Sequence, residues 1–319
     1  MGEKLIPFSR GSKWGYVDKE GKVVINPQFD YAYPFFEGLA VVNIGGMKLG
    51  LKYRPPVGGK WGYINKEGKV VINPQFDYAY PFSEGLAPVK KDEKWGYINK
   101  EGKVVINPQF GEAYLFSEGL AGVKKGNKWG YINKEGKFVI KPQFDYAYLF
   151  SEGLAGVKKG NKWGYINKEG KFVIKPQFDD VGFFSEDLAP VKKNEKWGYV
   201  DKEGKVVITP QFDYAYPFSE GLAGVNIGGR QFGHPGGILI KGRDKLGINL
   251  PFFDFPRGIY REGGILFGKW GYINKEGKFV INPKFDYAYP FSEGLAVVQD
   301  GGLWGHINKE GQNFKIKFD

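Results

Sequence analysis

Apolar residues along this chain come in short runs of four or five, broken by clusters of polar residues. From Leu86 the sequence reads LAPVKKDEKWGYINKEGKVVINPQFGEAYLFSEG. The runs are too short for helices and are punctuated by Asn, Asp, Lys, Glu and Gly, so the pattern predicts strands joined by tight turns. A first strand of the LAVV or LAPV type leads through a four-residue linker, commonly KKDE or KKGN, into a second, KWGYI. The segment NKEG then suits a type I turn closed by a left-handed glycine. A third strand, KVVI, is expected to end at Asn-Pro or Lys-Pro, where the missing N–H stops ladder pairing. The remaining QFDYAYPFSEG leads to the next unit. Ala32 and Phe35, three apart, suit a tucked turn there, whereas alternating Phe29, Tyr31, Tyr33 and Phe35 suit a fourth strand; both readings stand.

Both faces of such a meander read as apolar. In the second strand Trp and Tyr, two apart, share a face, and Ile points the other way. In the third, Val23 and Ile25 share a face and Val24 takes the opposite one. A sheet with two apolar faces must be covered on both sides, and the natural cover is its neighbour.

The pattern repeats. The eight tryptophans, Trp14, Trp61, Trp95, Trp129, Trp163, Trp197, Trp270 and Trp304, are each followed by glycine. Their spacings are 47, 34, 34, 34, 34, 73 and 34, so the period is 34, with 13 extra residues in one unit and 39 in another. This predicts one repeat domain over 1–319, with units at about 5–38, 39–85, 86–119, 120–153, 154–187, 188–221, 222–294 and 295–319. Insertions fall at 43–59 and 226–268, both between the first strand and KWG.

The recurring KWGYINKEGKVVINPQFDYAYPFSEGLA resembles the WG-repeat, or KWG-repeat, proteins, a family widespread in bacteria. The resemblance implies a repeat architecture with an interaction role, and it brings no catalytic residues. The expected fold is all-β: eight antiparallel three- to four-stranded meanders stacked face to face. They form either a closed propeller-like ring or an open superhelical stack. Thirty-four residues is short for a four-stranded blade, yet eight is within the usual blade number.

Composition agrees. The chain has 319 residues, 17% of them aromatic, with 49 glycines and no cysteine. The lack of cysteine excludes disulfides, thiolate metal sites and a cysteine nucleophile. The start, MGEKLIPFSRGSKWGY, carries no apolar run of signal-peptide or membrane-spanning length. A cytoplasmic location is the default expectation, and a secreted or periplasmic one stays open.

The net charge is +11, and its placement suggests a site. Insertion 43–59 carries Lys48, Lys52 and Arg54 without an acid. Insertion 226–268 carries Arg230, Lys241, Arg243, Lys245, Arg257 and Arg261 against Asp244, Asp254 and Glu262. Each insertion is thus +3, and both would emerge on one rim with the linker pairs Lys90–Lys91, Lys124–Lys125, Lys158–Lys159 and Lys192–Lys193. A basic rim that docks an anionic partner is one reading. A solubilising lysine edge that discourages strand pairing between molecules is the other. Lys48, Lys52, Arg54, Arg230, Lys241, Arg243 and Lys245 are the candidate binding residues.

Other repeated residues invite structural readings. The Lys of KWG could pair with the Glu of SEG to tie neighbours together. Gln28 and its counterparts could satisfy backbone groups near the proline. Tyr31 and Tyr33 are the aromatic positions best placed for exposure. Enzyme signatures are absent: two histidines cannot build a multi-histidine metal site. GGILFGKW stops mimicking a phosphate loop at Trp270, where Ser or Thr is needed. The expectation is a non-catalytic protein-binding scaffold without cofactor, its partner a protein and an anionic one if the rim binds; nucleic acid or glycan stay open. The alternative is a glycan or cell-envelope binder with one aromatic pocket per unit.

Overall fold

The computed structural model describes residues 4–47, 55–229 and 268–314. They contain no helix and form eight separate antiparallel sheets. Sheet one has three strands, Ile6–Arg10, Lys13–Val17 and Val23–Phe29. Every later sheet has four in simple meander order. Sheet three is representative: Tyr78–Ala79, Leu86–Lys91, Lys94–Asn99 and Val104–Phe110. Sheets two and four to eight begin at Tyr31, Glu112, Tyr146, Asp180, Tyr214 and Tyr287. The chain divides into two compact units, with the boundary between Gln143 and Phe144, at the end of sheet four.

The Tyr-Ala pair settles the link between repeats. It forms a short first strand of the following sheet, with Tyr78 opposite Lys90 and Ala79 opposite Val89. The chain then turns a corner at Ser-Glu-Gly, where Ser83 and Leu86 exchange backbone hydrogen bonds. Strand and turn are thus both present.

The NKEG turn forms as its residues require. The Gly68 amide donates to the Asn65 carbonyl, the Asn65 side chain accepts from the Lys69 amide, and Gly68 has a φ of 78°. That left-handed conformation favours glycine.

The proline does not end the last strand. Pairing passes through it: Tyr63 lies opposite Ile72 and Trp61 opposite Phe76, so a bulge absorbs the intervening residues. The strand survives because the sheet edge needs no proline N–H and the bulge re-aims Phe76 into the core. The bulge also explains the glycine after each tryptophan. A Cβ on Gly62 would stand 2.5 Å from the Ile72 oxygen and 2.7 Å from the Pro74 nitrogen.

Neighbouring sheets pack face to face within each unit. Trp14, Tyr16, Ile25 and Phe29 of sheet one pack on Ala32, Ala40, Val42 and Ile64 of sheet two. Sheet two then turns Val41, Trp61 and Tyr63 towards Ala79, Ala87, Val89 and Ile98 of sheet three. The same contact recurs between sheets five and six, six and seven, and seven and eight. Removing these aromatic and branched side chains from water is the main stabilising term, at about 1.5–3 kcal/mol for each large side chain fully buried. A buried polar bond is added at the interface of sheets three and four, where the Tyr97 hydroxyl donates to the Tyr114 carbonyl at 2.8 Å.

The third strand of the expected meander departs from its two-faced reading. Its Ile is buried, but Val24, Val71 and Val105 are each more than 40% exposed. It is the outer edge strand of its sheet, so the neighbouring sheet covers only the side bearing Ile.

Candidate functional site

In each unit the candidate site is built from the tips of the central hairpins. In sheets three to six the second strand ends in two lysines, and Lys91, Lys125, Lys159 and Lys193 sit directly opposite the lysine of KWG. These four are exposed, and their predecessors Lys90, Lys124, Lys158 and Lys192 are half-buried. Alternation along the strand sends the two lysines of a pair to opposite faces, so each tip spreads charge to both sides. The Lys125 ammonium lies 5.7 Å above the Phe138 ring and that of Lys159 5.9 Å above Phe172. Such cation–π contacts hold the charge at the tip without neutralising it.

The lysine of KWG is neutralised, and not by the expected glutamate. Lys60 binds Asp77 at 2.7 Å, Lys13 binds Asp30 at 2.6 Å, and Lys269 binds Asp286 at 2.6 Å. The aspartate comes from QFD, seventeen residues on, because the bulge returns the chain beside KWG. Its other oxygen accepts a hairpin amide, Asp92 N for Asp77 and Gly45 N for Asp30. The Lys60 hydrogen bond, and less so the Asp92 amide, hold the Asp77 carboxyl below its usual range. In sheet three Gly111 takes the aspartate position, which leaves Lys94 without this carboxylate. In sheet four Glu112 binds Lys124 at 2.9 Å.

The glutamate of SEG works at the opposite end of the second strand and does tie sheets together. Glu84 accepts the Gly119 amide at 3.0 Å and binds Lys134, from the NKEG turn of the next sheet, at 3.2 Å. Glu152 binds Lys202 in the same way. Ser83 adds an inter-sheet bond to the Phe116 carbonyl at 2.7 Å. The glutamates hold a left-handed backbone, with φ 54° at Glu84, a strained state that is kept where the surroundings fix it.

Of the repeated polar residues, the Gln109 amide donates to the Asn107 carbonyl of its own strand at 3.4 Å. Tyr33 is buried and Tyr31 half-buried.

Both insertions leave as continuations of the central hairpin of their sheet, at the end where sheets three to six carry the lysine pairs, Met47 pairing with Val57 in sheet two and Ile227 with Lys269 in sheet seven. The proposed binding residues Lys48, Lys52, Arg54, Arg230, Lys241, Arg243 and Lys245 lie outside the described residues. The bases of the insertions show a feature missed from sequence. Asn43 and Asn226, which stand where sheets three to six have the first lysine of each pair, are fully buried. The Asn43 amide donates to the Gly58 carbonyl at 3.3 Å. A Cβ on Gly59 would lie 2.8 Å from the Asn43 oxygen, and one on Gly268 2.7 Å from that of Asn226. The shared NIGG was the available signal: asparagine and glycines form a clasp from which an insertion departs. Among the described residues no three His, Asp or Glu side chains gather in a metal-binding arrangement. No helix there is long and apolar enough to cross a membrane.

The tryptophan-glycine strand, its bulge and its turn recur as one motif. A family model described as "WG containing repeat" matches residues 14–47, 61–95, 95–129, 129–163, 163–197, 197–230 and 270–304. The chain belongs to the WG-repeat family. No curated protein matches this WG-repeat chain. Among solved structures, one reported as the crystal structure of the eukaryotic initiation factor is 13% identical, with a TM-score of 0.60 over 98% of this chain and 84% of that one. That likeness concerns the fold alone and agrees with a propeller-like array of sheets. Kluyveromyces lactis Hsv2p is 11% identical over 63% of this chain and 71% of its own, with a TM-score of 0.39. The dihydro-heme d1 dehydrogenase NirN is 10% identical over 90% and 66%, with a TM-score of 0.45.

Proposed function

We propose that this WG-repeat array is a non-catalytic binding scaffold whose basic rim docks an anionic protein surface. One observation carries the reading: the hairpin tips of sheets three to six each end in paired lysines, while in sheets five and six the KWG lysine beside them is held by an aspartate. The tips therefore carry lysine charge in excess of the acids there, Asp92, Glu93 and Glu195 in the turns and Glu112 beside Lys124. Repetition adds avidity, because several weak contacts engaged together bind far more tightly than one. Clustered positive charge also speeds encounter with an anionic partner.

The glycan-binding alternative draws less support. It needs one exposed aromatic pocket per unit, and Trp61, Trp129 and Trp270 are about 1% exposed.

Charge reversal tests the proposal. Replacing Lys52, Arg54, Arg243 and Lys245 with Glu is expected to abolish capture of the partner while the thermal unfolding transition stays in place. Capture that persists through the fourfold reversal overturns the reading.

A further inference from the structure

Sheet one has no counterpart of the strand that opens every later sheet. Among the described residues nothing pairs beyond its first strand, Ile6–Arg10. In the later sheets that edge is taken by the link from the preceding repeat. In sheet three Tyr78 stands opposite Lys90 and Ala79 opposite Val89. The Asp77 and Tyr80 amides donate to the Lys90 and Pro88 carbonyls at 2.9 and 3.0 Å. The tryptophan register carries these positions over: Ser9 faces Trp14 as Lys90 faces Trp95, so Ser9, Phe8 and Pro7 stand for Lys90, Val89 and Pro88. A residue in an antiparallel strand turns its N–H and C=O to the same side. The Ser9 amide and the Ser9 and Pro7 carbonyls therefore line the outer edge. Pro88 shows that proline at this register does not hinder pairing.

The face behind this edge is uncovered as well. Ala87, Val89 and Ile98 are at most 1% exposed under the preceding sheet, whereas their counterparts Ile6, Phe8 and Val17 are only half-buried. A Cβ on the turn glycine Gly68 or Gly102 would meet an isoleucine of the preceding sheet at 3.2 or 3.3 Å, and one on Gly21 meets nothing within 4 Å. Lys100 and Lys134 cross to Glu37 and Glu84 of the preceding sheet, whereas Lys19 pairs with its own neighbour Glu20.

The hairpin tip adds a polar feature. Asp77 accepts the Asp92 amide at 3.0 Å, and Asp145 and Asp179 accept the Gly160 and Asn194 amides at 2.7 and 2.9 Å. Gly11 holds the position of Asp92 in sheet one and is exposed beside the exposed Arg10. A carboxylate arriving there finds an amide donor and a cation.

We infer that the edge Ile6–Arg10, with the Gly11 amide, docks an extended segment of a partner protein in which an acid stands two residues before a small apolar residue. The seven filled edges specify the occupant. Ala or Val takes the small position in each, and an aspartate stands two residues before it in six, with Gly111 in the seventh. Strand addition draws affinity from main-chain bonds and specificity from alternate side chains. The inference takes the partner to be a protein, as proposed above, and uses none of the lysine tips, so either reading can fail alone.

The test titrates the full chain with a fluorescent peptide copying residues 76–81, FDYAYP, at about 0.15 M salt. Binding is read by anisotropy and placed by hydrogen exchange. Saturable binding is expected, with exchange slowed over residues 6–11 and unchanged at the hairpin tips of sheets three to six. The Asp77→Asn peptide is expected to bind about tenfold more weakly, through the charge-assisted hydrogen bond it loses. The Ala79→Arg peptide is expected not to saturate. In the protein, Ser9→Pro removes the outward amide, a change edge strands tolerate, and is expected to abolish binding without moving thermal unfolding. If Ser9→Pro does not fold, the two peptide variants decide. No saturation, protection elsewhere in the array, or undiminished binding by either variant peptide or by a folded Ser9→Pro would overturn the inference.

Discussion

Gly62 lies so close to the Ile72 carbonyl that any side chain on it would displace the strand opposite, a Cβ meeting that oxygen at 2.5 Å. The glycine of every described Trp-Gly pair but the last, in sheet eight, makes this approach. It is the price of a bulge that brings Phe76 beneath Trp61 and the Asp77 carboxylate beside Lys60. Gly62→Ala is therefore expected to destabilise the chain by about 1–3 kcal/mol, as overpacking of a closed core does. Gly111→Ala, where a Cβ meets one backbone oxygen at 3.7 Å, is expected to be nearly neutral. Urea unfolding of both variants checks the contrast.

The buried tyrosine hydroxyls predict the response to alkali. Burial pushes the phenols of Tyr16, Tyr63, Tyr97, Tyr131 and Tyr199 well above the ordinary tyrosine value. A raised phenol supports folding fully below about pH 10, the value in an unfolded chain. That support is lost as pH climbs past it, because the unfolded chain ionises first. Stability in urea is thus expected to hold to about pH 9 and to fall steeply above about pH 10. Tyr97→Phe should flatten that fall while removing about 1 kcal/mol at neutral pH, through the hydrogen bond lost to Tyr114.

The Glu84–Lys134 pair links two sheets at an exposed corner. Exposed pairs contribute about 0.2–1 kcal/mol each. Glu84→Gln keeps an acceptor for the Gly119 amide and is expected to stay within that range. Glu84→Gly, which also relieves the left-handed strain, is expected to come out close to the parent. A double-mutant cycle with Lys134→Met measures the pair directly; a coupling of several kcal/mol would contradict this view of the corner.

The Asn43 clasp predicts a sharper effect. Asn43→Lys introduces the residue of sheets three to six but sets a charge in a fully buried position packed against Gly59. It is expected to cost at least about 1–3 kcal/mol through the unpaired polar group it buries. Lys90→Asn, its mirror at an open hairpin tip, should change stability little. Thermal unfolding of the two variants tests the difference.

Much of this was readable from the period alone. Eight Trp-Gly pairs, the NKEG turns and the left-handed glycine follow from local chemistry, and the two apolar faces of the KWG strand required stacked neighbours. The rest depends on pairing across distance. The proline hid the bulge, since a missing N–H reads as a stop unless the strand lies at an edge. The bulge in turn moved the partner of the KWG lysine from the SEG glutamate to the QFD aspartate. Val24 and its counterparts read as core because alternation gives a face but not whether a neighbour reaches it. The strand that opens with Tyr-Ala, six residues long in sheets two and five and two residues long in sheets three, seven and eight, belongs to the sheet that follows, which no pattern within one repeat could assign.

The most direct test of the scaffold reading is affinity capture from source-cell lysate, at about 0.15 M salt and again at higher salt, where exposed-charge attraction is screened. The parent chain would be compared with a variant carrying Glu at Lys91, Lys125, Lys159 and Lys193. A defined anionic protein is expected to be held by the parent chain, released by salt and missed by the variant. A partner held by both chains regardless of salt would contradict it.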